Sequence, residues 1–155
     1  MASNGNKIYS AIGKMIVSYS ILDFNLRILI AELSSHDVRS SYMLATTLHN
    51  YEIRSILSSL GHEKFANEES ARELDSLLGE AEKLQNKRND IVHSLWLVGD
   101  SVAKRSKLVA RFKKGLKTED EYLEVATNKK LADDIERVSE RLWPFIMDNM
   151  FKKTK

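Results

Sequence analysis

At 155 residues, 43% of them hydrophobic and 30% charged, the chain is long enough for one buried core, and its composition excludes whole-chain disorder. A formal net charge of only +2 means that bulk charge does not identify a nucleic-acid binder, and the absence of cysteine excludes disulfides, thiolate metal sites and a thiol nucleophile. The opening Met-Ala-Ser-Asn-Gly-Asn-Lys is not a signal sequence, and the most apolar stretch, 21–33, carries Asp23, Asn25, Arg27 and Glu32 and cannot span a bilayer; a cytoplasmic protein without a membrane partner is expected.

A single proline and six glycines favour long helices. From Ile8 the apolar residues run Ile8, Ile12, Met15, Tyr19, Leu22, Leu26, Leu29, Leu33 in alternating steps of four and three. That spacing predicts one long helix with a continuous seam, facing a helix nearly antiparallel to it. Residues 34–37 break the pattern, and Asp37 is a suitable N-cap for a short helix to Thr47. Asn50 is the expected cap of the next helix, with Ile53, Ile56, Leu57 and Leu60 on one face and Gly61 as its stop; 62–68 reads as a loop. A second long helix is predicted from Glu68 to Leu97, with the seam Leu74, Leu77, Ala81, Leu84, Arg88, Ile91, Leu95, and Gly99-Asp100 ends it. Strand periodicity follows at 106–114, where Leu108, Ala110 and Phe112 alternate with Lys107, Arg111 and Lys113. Gly115 reads as turn and 121–126 as a returning strand. Thr127 or Asn128 then caps a last helix with Leu131, Ile135, Val138, Leu142 and Ile146 as its buried stripe, kinked or broken at Pro144. The reading is a single mainly α domain over 1–155, an antiparallel bundle of four to five helices with a small β-hairpin before the last helix.

An arginine in an apolar seam calls for a reason, because an unpaired buried guanidinium is costly. Three readings stand for Arg88: it meets a carboxylate, with Asp23 on the first long helix as candidate; it points into a cavity open to water or ligand; or it snorkels its charge over the seam's edge. His93 lies five residues on, which is roughly 140° around a helix from Arg88. Asn89 and His93 lie one turn apart, so a polar stripe containing His93 runs beside the apolar seam. A second copy of this helix packed against the first would bring two histidines and two arginines together across a two-fold axis.

The segment Arg88-Asn89-Asp90-Ile91-Val92-His93 resembles the R-x-x-x-x-H signature of HEPN domains (higher eukaryotes and prokaryotes nucleotide-binding), and the run from Leu84 to Trp96 is similar to the motif helix of small bacterial members. The resemblance implies a helical-bundle homodimer with a composite site between two motif helices. Many such proteins are metal-independent endoribonucleases acting as toxins, abortive-infection effectors in antiviral defence, or RNA-processing enzymes. Others are non-catalytic modules that partner a nucleotidyltransferase or another defence protein. By motif match Arg88 and His93 are the catalytic residues, with Asn89 in support; Asp90 beside it and Asp23, the candidate partner of Arg88, are further supporting residues. No cofactor or metal is implied, and an antitoxin or defence component is an expected partner.

The residue types suit that chemistry. RNA cleavage without metal uses the 2′-hydroxyl as internal nucleophile, and one group must take its proton while another protonates the leaving oxygen. Imidazole serves both roles near neutral pH. A guanidinium offers a donor fork to the negatively charged phosphoryl oxygens. A second feature is the run Lys104, Arg105, Lys107, Arg111, Lys113, Lys114, Lys117, seven basic residues with no acidic one among them. It reads either as a phosphate-tracking surface or as a lysine-rich hairpin neutralised by Glu119, Asp120, Glu121 and Glu124 opposite. His36, His49 and His62 form no H-x-x-x-H pair and are read as loop or surface residues. The aromatic residues Trp96, Trp143, Phe145 and Phe151 are assigned to packing.

Overall fold

The unbroken four–three spacing from Ile8 to Leu33 folds as a helix of 30 residues, and the chain is mainly helical. The computed structural model describes residues 4–34, 37–98, 103–111, 115–122 and 125–151. Its elements are α1 (Asn4–Leu33), α2 (Val38–Ala45), α3 (Asn50–Lys64), α4 (Glu68–Val92), β1 (Leu95–Val98), β2 (Ala103–Arg111), β3 (Gly115–Tyr122) and α5 (Val125–Phe151). They form two compact units, which share α1, α4 and α5. Among the described residues, no helix is long and apolar enough to cross a membrane.

One unit comprises Ser20–Glu82 and Glu136–Lys155. Leu22, Leu26, Leu29 and Leu33 of α1 are buried in it, with Leu57 of α3, Leu74 and Leu77 of α4, and Leu142 and Ile146 of α5. Asn25 on α1 donates to the Ser139 hydroxyl on α5 at 2.8 Å. Asp37 caps α2, accepting from the Ser40 amide and hydroxyl at 2.9 and 2.7 Å. The Ser40 hydroxyl and amide hold that carboxyl below its usual range. The edge of one aromatic ring meets the face of the other between Phe24 and Tyr42, fastening α2 to α1.

The α3–α4 junction departs from the sequence reading in two ways. His49, not Asn50, precedes the first turn of α3, and its backbone amide donates to Glu52 at 2.6 Å. Gly61 does not stop α3, which continues to Lys64, so 62–64 is helix rather than loop. The glycine serves close approach instead: a Cβ built there would lie 2.6 Å from Cδ2 of buried Leu74 on α4. Asn67 then accepts from the Ser70 amide at 2.8 Å, leading into α4.

The other unit comprises Met1–Tyr19 and Lys83–Ile135. Here α4 ends at Val92, five residues short of the expected Leu97. The residues Leu95-Trp96-Leu97-Val98 favour a strand and pair with β2 from Leu95↔Ser106 to Val98↔Ala103. Leu95 therefore leaves the seam and is 63% exposed. The antiparallel sheet has the order β1-β2-β3, three strands where a two-stranded hairpin was expected. Strand β2 begins at Ala103 rather than 106. Gly115, expected in the turn, opens β3 opposite Arg111.

Val125 and Ala126, expected in a strand, are already helical. Asn128 is thus inside α5 rather than capping it; it is buried, and neither polar side-chain atom has a partner among the described residues. Helix α5 continues through Pro144 without a break. The carbonyl deprived of a donor belongs to exposed Glu140, where water can serve it.

Candidate functional site

The last turn of α4 carries the sequence motif, and the end of the helix divides it. Arg88 and Asn89 are half-buried within the helix. His93 is the first residue beyond it, and its imidazole is exposed. Its backbone amide still donates to the Asn89 carbonyl at 3.0 Å, so the one-turn relation between Asn89 and His93 survives the helix terminus. Asp90 is exposed and its carbonyl accepts the Ser94 hydroxyl. The Ile91 carbonyl accepts the indole N–H of Trp96 at 2.8 Å. These two side chains satisfy carbonyls that a helix end leaves open, and together they fix the turn that presents His93.

Arg88 occupies its seam position in an unusual state. Its Nη1 donates to Oδ1 of Asn89 at 2.9 Å, and the guanidinium carbon lies 5.0 Å from the centroid of the buried Tyr19 ring. Its Nε is buried with no acceptor. Among the described residues no carboxylate pairs with it. A cation held this way recovers part of its lost hydration from the ring and from one neutral hydrogen bond, and keeps an unmet demand for an anion.

The carboxylate reading of Arg88 gives way accordingly. Both oxygens of Asp23 are taken by Arg27 one turn away, from Nε at 2.8 Å and from Nη2 at 3.3 Å. Asp23 is therefore a structural anchor of α1, and its assignment in support of Arg88 is withdrawn.

The basic run is divided. Arg105 and Lys107 on β2 are registered opposite Glu121 and Glu119 on β3, and Arg111 opposite Gly115. Lys104 is half-buried and registered opposite Tyr122. Lys113 and Lys114 lie outside the described residues, as does His36.

Sequence reasoning gave Tyr19 only a place in the seam and Trp96 only packing. The signal for Tyr19 was its place as the one aromatic residue in an otherwise aliphatic run. His62, a loop or surface residue by its sequence, sits in the last turn of α3, with Nε2 2.9 Å from Asp75 and Nδ1 3.5 Å from Glu68. Among the described residues, no group of three or more His, Cys, Asp or Glu side chains is placed to hold a metal ion. No family model matches this sequence, and comparison with curated proteins and with solved structures returns no match.

Proposed function

We propose that this chain is a HEPN-type endoribonuclease that cleaves RNA without metal as a homodimer, in a toxin or phage-defence role. The observation that carries the reading is the state of Arg88: a half-buried guanidinium over the Tyr19 ring and bonded to Asn89, with no acid partner among the described residues, five residues before an exposed imidazole.

In the proposed reaction a histidine removes the proton from a ribose 2′-hydroxyl. The 2′-oxygen forms a bond to phosphorus, the bond from phosphorus to the 5′-oxygen breaks, and that oxygen takes a proton. The products are a 2′,3′-cyclic phosphate and a 5′-hydroxyl. The guanidinium stabilises the extra negative charge on the phosphoryl oxygens. Each chain offers one His93 where two proton-transfer groups are needed, which is why the reading includes a second copy with its motif helix facing the first. DNA lacks the nucleophile and is spared.

The test is cleavage of mixed cellular RNA in excess chelator by wild type, His93→Ala and Arg88→Ala, each checked for folding and dimer mass. The expected result is cleavage by wild type alone, leaving cyclic phosphate ends. A folded wild-type dimer that leaves RNA intact, and is harmless on expression, overturns the enzyme and favours a non-catalytic module partnering another defence protein.

A further inference from the structure

We infer that Tyr19 is the positioning residue of the site, its ring holding the Arg88 guanidinium in place so that a phosphodiester is received on the Nη hydrogens left open. The inference rests on the proposed phosphoryl-binding role of Arg88. A guanidinium makes hydrogen bonds in its plane and stacks through its faces. The Arg88 guanidinium carbon lies over the Tyr19 ring, 5.0 Å from its centroid and within cation–π range, so the ring holds the group from that side. The Nε end of the fork is buried without an acceptor and is closed to a ligand. One Nη1 hydrogen goes to Asn89, which fixes rotation within the plane. What remains for an anion is Nη2 and the second Nη1 hydrogen. An arginine free to swing would lose rotational freedom on meeting each phosphate. Here Tyr19 and Asn89 have already removed it, which is the benefit of preorganisation. Tyr19 itself touches no reacting atom in this scheme.

The ring's contribution separates from its bulk by substitution. Tyr19→Phe keeps the π face; Tyr19→Leu removes it. Tyr19→Met, unbranched and without a π face, carries the same comparison if the leucine variant does not fold. Two readouts apply to each folded variant. One is affinity for a mixed-sequence 2′-O-methyl RNA, which binds but lacks a free 2′-hydroxyl. The other is the NMR signal of the Arg88 Nε–H, identified by its loss in Arg88→Lys and shifted by the ring current of Tyr19 in wild type.

The expected result is affinity about tenfold weaker in the leucine or methionine variant, with the Arg88 signal moved off its ring-current position. The phenylalanine variant retains both properties. Wild-type affinity in a folded variant without the ring overturns the inference, and so does affinity that Arg88→Lys does not change. If the ring governs affinity but unmodified RNA is never cut, the positioning role stands and the ribonuclease reading falls. If RNA is cut as fast by Tyr19→Leu as by wild type, the ribonuclease stands and the positioning role falls.

Discussion

Arg27 and Arg88 are both arginines set among apolar helix residues, and they are treated in opposite ways. Arg27 on α1 is engaged through all three nitrogens. Nε and Nη2 go to Asp23, and Nη1 goes to the carbonyls of Ala45 and Leu48 at the end of α2. The pair is mostly shielded, with side chains 15% and 26% exposed. Among the described residues, Arg88 on α4 has one neutral hydrogen bond, one ring and a buried Nε with nothing to donate to. The first arrangement uses a cation to hold two helices together. The second keeps a cation in a state that an arriving anion would improve. Incomplete satisfaction, rather than burial, is what marks Arg88 as a functional candidate.

Arg88→Met gives the largest expected effect and can break the comparison outright. Methionine fills the seam and removes the orphaned Nε, so the thermal midpoint should hold or rise. RNA cleavage should fall by about 100-fold or more, the loss of one transition-state donor group. A variant that unfolds while Arg27→Met does not would reverse the two roles. Arg27→Met comes next in size. It leaves Asp23 without its partner and takes the donor from two carbonyls, so chemical denaturation should show a loss of about 2–3 kcal/mol. Cleavage per folded molecule should be unchanged.

The long seams were legible in the sequence because helix periodicity repeats over many turns, and so Met15, Leu22, Leu74, Leu77, Ile135 and Leu142 fall in the core where spacing places them. Arg88 was legible as an exception to such a seam. The end of α4 was not, because periodicity continues through Leu95 while the outcome depends on pairing with residues 103–106, which no local pattern reveals. The partner of Asp23 was legible in principle, since Arg27 stands four residues on. The candidacy of Arg88, distant in sequence, obscured it. Tyr19 as a platform required knowing which face of α4 lies over which face of α1 in that unit.

Gly61→Ala tests whether the α3–α4 junction belongs with the fully satisfied parts of the molecule. Alanine favours a helix interior over glycine, but its Cβ would press on Leu74, whose buried side chain has little room to turn away. The expected net loss is about 1 kcal/mol by denaturation. Leu74→Val should recover part of that loss when combined with it, because the two residues share one contact.

The smallest effect extends the comparison from the arginines to two histidines. His93 is exposed just past α4, with no side-chain partner among the described residues. His62 is held between Asp75 and Glu68 at the end of α3. The hydrogen bond that the imidazole donates to the Asp75 carboxylate, with the negative charge of Glu68 added, raises the His62 pKa above its ordinary 6.5. A raised value in the folded state contributes stability in full below about 6.5, and that contribution disappears as pH rises through the folded value. The midpoint difference between wild type and His62→Gln should therefore be largest below about pH 6.5 and shrink as pH rises above it. The size should be modest, because the imidazole is over a third exposed and water and salt screen the pair. If His62→Gln instead shows the same dependence on pH as wild type, the clasp contributes nothing. Of the two histidines, His93→Gln should act on cleavage, because its exposed imidazole has no side-chain partner among the described residues and stands open to a substrate.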